Sequence, residues 1–597
     1  MNLEISTVSR KEERWWAAPS GIDVVTEEEI RRSGAMNIPD ALRLATGVHV
    51  GHPSSKSWAV SLRGMNVLAA NKISVAMDGR SLFTPFFSGV QWDAQDTLME
   101  DIDRIEVVRG PVGSLWGAFA VNGFIQILTK PAWETQGWLA TAGGGTEDPG
   151  FASFRYGGKI GDDTFYRVYA KYSQTDWTYA RNGRHAQTAT DFFQTGFRAD
   201  ARRPQDTTLT LQGDYYTNQD LHLDQRMQSE IAGANILGRW RRAFSSEANL
   251  EVQAYFDHTY RLLPLQFEER RNTASTSVKH RTVQGRHDLL LGIDGVVSWD
   301  NIGNIGIALL EPSKRRTHNL GAFFQDTVQV VPDRAALTLG LKVEHNSFSG
   351  FDYQPTARFA WTPNPRTTAW SAVSRAIRTP VRVDEDLVFR FGGVPFFEAN
   401  DEFETEVTLA YEVGLRHQAT TALTFDVSVF AYDYEHLRST EPAGAAAIPL
   451  TFKNRLNSRS HGGELAIMYQ PIPRLFFKGS YRYLDLEFSR DPGSRDTTNG
   501  NAEGNDPKHV ANLGVHVDFA NTWEFDTFLR HASALPNPAL PGYTALDLRL
   551  GWRPSDRWEF SLSARDLLDR QHPEFITTNS LNEEVHRSFT VKVTWRH

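Results

Sequence analysis

The chain has 597 residues, a formal net charge of −9 and no cysteine. The acidic balance disfavours a nucleic-acid partner, which needs a basic face, and the lack of cysteine excludes a disulfide framework and a thiolate metal site. A hydrophobic fraction of 40% and a mean hydropathy of −0.42 look soluble, but a membrane barrel looks the same, because only alternate strand residues face lipid.

Residues 1–20 are polar and charged, with Arg10-Lys11-Glu12-Glu13-Arg14, and predict a flexible segment. Within it Leu3-Glu4-Ile5-Ser6-Thr7-Val8-Ser9 alternates apolar and polar residues, the pattern of an extended, β-prone peptide. No signal peptide is visible; the expectation is that a leader is removed or that the chain starts late. From Val24 to about Lys130 the pattern predicts a small mixed α/β domain. Thr26 and Glu29 form a capping-box pattern that opens a helix over Glu27–Ser33. A second helix is predicted over Ile38–Leu44, ended by Gly47.

Ile102 to Lys130 reads IDRIEVVRGPVGSLWGAFAVNGFIQILTK. Two β-rich runs, Ile105–Val108 and Phe124–Leu128, flank a glycine-punctuated segment. Gly110 to Thr129 has no charge and is long enough to span a membrane as a helix, yet its four Gly and one Pro predict loop and strand instead. This stretch resembles the end of the plug domain of TonB-dependent outer-membrane receptors. The residues that carry the likeness are Arg104, Glu106, Arg109, Gly110, Pro111, Trp116, Gly117, Ala120, Gly123, Ile125, Ile127, Thr129 and Lys130; Phe124 and Gln126 depart from the family's Val and Asn. The likeness continues upstream in Ala41-Leu42-Arg43, Gly47-Val48, Ser61-Leu62-Arg63-Gly64, Met77-Asp78-Gly79-Arg80 and Gly89–Asp93, and at the far end in Asp566–Phe575.

From about Glu134 the period changes to two. Phe589, Val591, Val593 and Trp595 alternate with Thr590, Lys592 and Thr594; Leu546, Leu548, Leu550 and Trp552 with Asp547, Arg549 and Gly551; Tyr166, Val168, Ala170 and Tyr172 with Arg167, Tyr169 and Lys171. Alternation alone fits a soluble sandwich or propeller equally well. Turn asymmetry favours the membrane. Twenty-two candidate strands run from Gly137 to Trp595, and short polar turns close every second connection, such as Gly161–Asp163, Arg203–Asp206, Pro332–Arg334 and Pro554–Asp556. The connections between them include long ones at Thr379–Glu406 and Ser489–Asp506. Trp361, Trp370, Trp523, Trp552 and Trp558 flank the short turns, where an interfacial girdle belongs. This face assignment predicts that Arg at Leu548 or Val593 harms assembly, while Arg549→Leu is better tolerated.

The chain thus reads as a membrane all-β protein: a 22-stranded antiparallel transmembrane β-barrel at 134–597, a mixed α/β plug domain in its lumen at 21–133, and the segment 1–20 before it. The resemblance implies an integral protein of the bacterial outer membrane, acting as a monomer. It implies active uptake of a large scarce ligand, a ferric siderophore foremost, with cobalamin, haem or another chelate as alternatives. A surface adhesin or structural barrel without transport is the alternative of a different class, because fold does not fix function. The partners implied are TonB of the inner-membrane energy-transducing complex, outer-membrane lipid and an extracellular chelate. No catalytic site, cofactor or metal site is expected.

Residue by residue, the resemblance makes Leu3, Glu4, Ile5, Ser6, Thr7, Val8 and Ser9 the TonB box, which would pair as an added strand with the energising partner. It makes Arg63 and Arg109 plug arginines that meet barrel glutamates, and strand parity turns Glu412 and Glu464 towards the lumen to receive them. Ligand contacts are expected at the plug apices, with Trp58, Arg80, Phe83, Phe86, Phe87 and Trp92, and on an outer loop, with Phe389, Phe391, Phe396 and Phe397, since aromatics with a few polar groups suit a bulky chelate. Packing of plug against barrel is an equal alternative for each of these ten.

Overall fold

The computed structural model describes residues 4–176, 178–180, 186, 189–221, 227–306, 308–498, 500, 503–576 and 583–597. Twenty-two antiparallel strands close a barrel, the first at Gly137–Gly145 and the last at Ser588–Arg596. Closure is made by pairing these two, with Leu139 opposite Arg596 and Gly145 opposite Thr590. A pair of backbone hydrogen bonds between Trp138 and His597, at 2.9 and 3.0 Å, completes the seam. Closure leaves no unpaired edge, the condition for a sheet in lipid.

Strand parity follows the sequence. Leu550, Trp552, Phe589 and Val591 are exposed on the outer wall, while Arg167, Lys171, Arg549 and Thr594 are buried inside. The turns expected to be short span two to four residues, as at 161–163, 204–206, 332–334, 473–474 and 556–557, and the longest connection on the opposite rim covers 379–405. Three connections on that rim are nevertheless tight, at 146–149, 264–266 and 347–349. Trp361, Trp552 and Trp558 lie exposed at the short-turn end, and Trp523 stacks on Trp552 at 5.7 Å. Trp370 does not join this girdle. It falls on the inward parity of Thr367–Arg378, is 2% exposed, and its ring covers Gly414 on the neighbouring strand. The pleat decides which face a tryptophan takes, and nearness to a turn does not.

Inside the barrel a five-stranded sheet runs in the order Gly21–Thr26, Ile102–Arg109, Gly123–Thr129, Ile73–Met77, Arg80–Ser81. Its core is Val25, Val75, Ile105, Val107, Ile125 and Ile127, and the helix Ile38–Leu42 adds Ile38, Ala41 and Leu42. The helix Glu27–Ser33 starts where predicted. Thr26 Oγ1 accepts from the Glu29 amide at 3.3 Å, and Glu29 Oε2 accepts from the Thr26 amide at 2.9 Å. The second helix stops at Leu42, two residues before the predicted end. The chain then turns to Gly47, whose φ is +79° and whose missing Cβ would stand 2.6 Å from the Glu464 carboxylate. Here glycine is needed both for the left-handed turn and for the close approach.

The N-terminal segment is docked against the plug in this structure. Glu4–Ile5 pairs with Glu13–Arg14, and Ile5, Val8, Trp15 and Ala18 enter a cluster with Ile22, Val24, Val108 and Phe124. Burying each of the large side chains stabilises this docking by about 1.5–3 kcal/mol. Two cations of the linker are matched by barrel carboxylates: Lys11 meets Asp288 at 2.8 Å and Arg10 meets Asp294 at 3.4 Å.

Candidate functional site

The plug is held by buried ion clusters. The first brings the four sequence-predicted latch residues together. Arg63 follows the strand Ser57–Leu62 and has a φ of +50°, an uncommon conformation for a side-chain-bearing residue. Its guanidinium donates to Glu412, to Glu464 at 2.8 Å and to the Tyr432 hydroxyl at 2.5 Å, and lies 4.5 Å over the Phe430 ring. Arg109 ends the strand Ile102–Arg109 and donates to Glu464 at 3.2 Å and Asp426 at 3.1 Å. Arg416 approaches Asp426 at 3.5 Å. The carboxylates come from the inward faces of Glu406–Gln418, Leu423–Pro442 and Leu450–Ile472, where Ser428 and Glu464 are directly opposed. Low exposure strengthens each bond, and removing one partner strands the other.

Further clusters escaped the sequence reading, among them those around Lys72, Arg43 and the pair Arg31 and Arg32. At the outer end, Lys72 of the plug meets Glu406 and, at 3.3 Å, Glu503. Arg378 holds Glu406 at 2.9 Å and Asp384 at 2.6 Å, and Arg438 holds Asp384 at 3.1 Å and Glu503 at 2.9 Å. Three cations and three anions thus tie the plug to the connections 379–405 and 491–508. Beside the helix Ile38–Leu42, Arg43 grips Glu574 at 3.0 and 2.6 Å. The sequence carried a sign of the Arg43–Glu574 pair, since both residues lie in stretches that resemble the family. No sequence pattern links Lys72 to a loop some 430 residues away. His49, on the plug hairpin, has its pKa pushed down to about 3 by burial and by Arg482, so it is neutral at physiological pH.

Of the candidate box, Leu3 lies outside the described residues, Glu4 is exposed, and Ile5, Thr7, Val8 and Ser9 are buried; Ser6 is half-buried. The amides of Ser6 and Thr7 donate to Glu106 Oε2, each at 2.9 Å, and Thr7 Oγ1 donates to the same oxygen at 2.5 Å. Trp116 Nε1 donates to the Thr7 carbonyl at 2.8 Å.

The ten candidate ligand contacts separate. Phe86, Trp92 and Phe397 are buried in hydrophobic packing, and Arg80 is buried against Asp257 at 3.0 Å. These four are almost fully buried, and of them Trp92 and Arg80 also border cavities between plug and barrel. Phe83 is half-buried against Phe119 at 4.0 Å, Phe87 packs on Phe86 at 5.4 Å, and Trp58 stacks on His52 at 5.2 Å. Phe389 packs edge-on to Phe397 at 5.9 Å. Only Phe391 and Phe396 are open, 74% and 51% exposed on the hairpin Leu387–Phe391 and Val394–Phe397. The apex that sequence reasoning passed over is Val67–Leu68, with Leu68 exposed between the buried Met65 and Ala70. An apolar run between Asn66 and Asn71 was the available sign. Among the described residues no cluster of three or more His, Cys, Asp or Glu is placed to hold a metal ion.

Residues 132–567 match the family model described as TonB dependent receptor-like, beta-barrel, and residues 16–124 match the TonB-dependent Receptor Plug Domain. The Iron-regulated outer membrane virulence protein of Vibrio cholerae serotype O1 is 22% identical over 552 residues, covering 85% of this chain and 81% of that protein. The Ferric enterobactin receptor of Pseudomonas aeruginosa is 21% identical over 544 residues, covering 72% and 70%. Among solved structures, the siderophore receptor PirA from Acinetobacter baumannii superposes with a TM-score of 0.80 at 15% identity, covering 97% of this chain and 98% of that one.

Proposed function

Since the chain belongs to the TonB-dependent receptors of the bacterial outer membrane, we propose that it captures a ferric siderophore at its outer face and imports it with energy supplied by TonB through the segment 3–9. The observation that carries the transport reading is the seating of the plug. It is fixed by buried ion pairs, which are strong while dry and separable once water or a competing charge enters. A permanent seal is better built from apolar packing of the same volume.

The ligand class is supported by chemistry at the outer face. Phe391, Phe396 and Leu68 present apolar and aromatic surface there, suited to the organic scaffold of a chelate. The names borne by the Pseudomonas aeruginosa and Acinetobacter baumannii proteins point the same way.

The test is growth and uptake under iron limitation in a strain that relies on this receptor, supplied in turn with catecholate, hydroxamate and mixed siderophores, haem and cobalamin. Rescue by a ferric siderophore is expected. Deletion of residues 3–9 should abolish uptake and leave ligand binding to whole cells unchanged. Rescue by cobalamin or haem alone would replace the ligand class, and uptake that persists without residues 3–9 would remove the TonB route.

A further inference from the structure

The outer wall carries a charge asymmetry that transport does not use. On the strand His287–Gly303 the outward residues run Leu289, Leu291, Ile293, Gly295, Val297, Trp299, then Asn301. Ten residues at about 3.3 Å each, tilted by about 40°, give about 25 Å, the height of the lipid-facing band of an outer-membrane barrel. Trp299 therefore marks the upper edge of the hydrocarbon, and whatever stands beside it or one step higher is at headgroup level.

That level is basic on this side. Arg316 is directly opposite Trp299, and Lys314 is opposite Asn301. Arg270 is opposite Asn301 from the other flank. The row Arg270, Asn301, Lys314 thus crosses three adjacent strands, putting the two cations about 10 Å apart. Both Lys314 and Arg316 are exposed, and among the described residues neither has an ion-pair or hydrogen-bond partner for its side chain. Arg270 is paired with Glu268 at 2.7 Å and lies 5.7 Å over the Tyr260 ring.

The same level on the strands Leu423–Pro442, Leu450–Ile472 and Leu475–Arg490 is acidic. Arg459 stands between Asp433 and Glu487 in register and is neutralised by Asp433 at 3.1 Å. Glu435 and Asp485 lie outward nearby, and Asp485 holds Lys508. Free cations beside an interfacial tryptophan occur on one arc of the wall, and paired or excess carboxylates on another.

We propose that Lys314, Arg316 and Arg270, with Asn301 and Trp299, form a binding site for a phosphate-bearing lipid headgroup of the outer leaflet. Lys314 and Arg316 supply charge to phosphate, the Asn301 amide donates to headgroup oxygens, and Trp299 packs against the glycerol or sugar at the edge of the acyl region. The acidic arc, seven strands further round the barrel, repels the same headgroup, so the lipid shell is ordered on one side of the barrel.

The experiment uses the full chain purified in detergent, with folding verified by heat-modifiable gel mobility. The probe is a bisphosphorylated outer-leaflet glycolipid in mixed micelles, compared with its dephosphorylated form, and retention is read by native mass spectrometry. The wild type should retain the phosphorylated lipid and not the dephosphorylated one. Lys314→Gln and Arg316→Gln should each weaken retention about fivefold, the triple variant with Arg270→Gln should lose it, and Arg459→Gln should have no effect. Equal retention by the triple variant and the wild type, or equal retention of both lipids by the wild type, would overturn the site. Siderophore uptake has no part in this readout, so its outcome is independent of the transport reading.

Discussion

Arg43 and Glu574 form a two-pronged pair across the plug–barrel boundary, with guanidinium nitrogens 3.0 and 2.6 Å from the two carboxylate oxygens. Burial pushes the Glu574 pKa up, but Arg43 and its other partners outweigh it and hold the group well below the usual carboxylate range. A depressed carboxylate pKa contributes stability that is present above the unfolded value near 4.3 and is lost only as pH falls through the folded value. The pair should therefore stay intact at pH 5. Arg43→Ala should cost about 3–5 kcal/mol of local stability by stranding a buried carboxylate, read as faster proteolysis of the plug hairpin 48–62, and Glu574→Gln should cost less. Proteolysis of Arg43→Ala at the wild-type rate would dismiss the contact as ornamental.

Glu464 serves both Arg63 and Arg109, so losing it should unseat the plug more than losing either arginine. In planar bilayers, Glu464→Ala should show larger and more frequent small-ion conductance than Arg109→Ala. The swapped pair Arg109→Glu with Glu464→Arg should restore part of the seal. Full rescue is not expected, because Glu464 must also accept from Arg63 and Ser428. A swap that leaks more than both single variants would show that charge pairing is not what closes the lumen.

Asp506, in the connection 491–508, accepts from the Asn66 amide at 3.0 Å. Burial raises its pKa to about 6, against the opposing pull of Arg482 and the plug amides. A raised carboxylate pKa contributes stability that is complete below the unfolded value near 3.9 and is lost as pH rises through the folded value. Docking of this connection on the plug apex should weaken between about pH 4 and 6. Hydrogen exchange at 65–66, taken relative to Asp506→Asn at each pH, should quicken across that window; a flat ratio would show that Asp506 does not govern the contact.

On the outer wall, Leu548→Arg should impair assembly, since a midplane arginine costs about 2–4 kcal/mol in a barrel. Its inward neighbour is not the tolerant site that alternation suggested. Arg549 joins Glu524 at 3.1 Å, Asp526 at 2.9 Å and Glu559 at 2.8 Å, beside Arg31 and Arg32 of the plug. Arg549→Leu should also lower the fraction of heat-modifiable barrel, and Arg549→Lys should recover part of it. If Arg549→Leu folds like the wild type, the lumen is wetter than this packing implies.

The parts of this molecule legible from the chain are those set by local rules. The capping box at Thr26, the parity of Leu548 and Arg549 and the short turns are each written within a few residues. The meeting of Arg63 with Glu412 and Glu464 was implied by the family resemblance, and parity supported it by turning both strand carboxylates inward. The cluster around Lys72 was not, since Asp384 and Glu503 lie in connections whose course depends on the whole rim; the pair of Arg43 with Glu574 had a sign only in the family resemblance. The burial of Ile5 and Val8 was missed because charge in the following linker argued for a flexible segment, whereas Asp288 and Asp294 supply charges inside the barrel that match Lys11 and Arg10.

The grip of Glu106 on Thr7 has a mechanical meaning. Glu106 sits on the strand Ile102–Arg109, three residues from Arg109, which reaches Glu464 and Asp426. A pull on the N-terminus from the periplasm is therefore carried first by three hydrogen bonds onto one carboxylate, and then along a single extended backbone to a latch arginine. Such a strand is stiff, so load reaches Arg109 with little stretch. Once those three hydrogen bonds part, the load passes along the covalent chain to the strand Gly21–Thr26, whose Gly21 is paired with Arg109, so the same arginine is reached by a second and longer path.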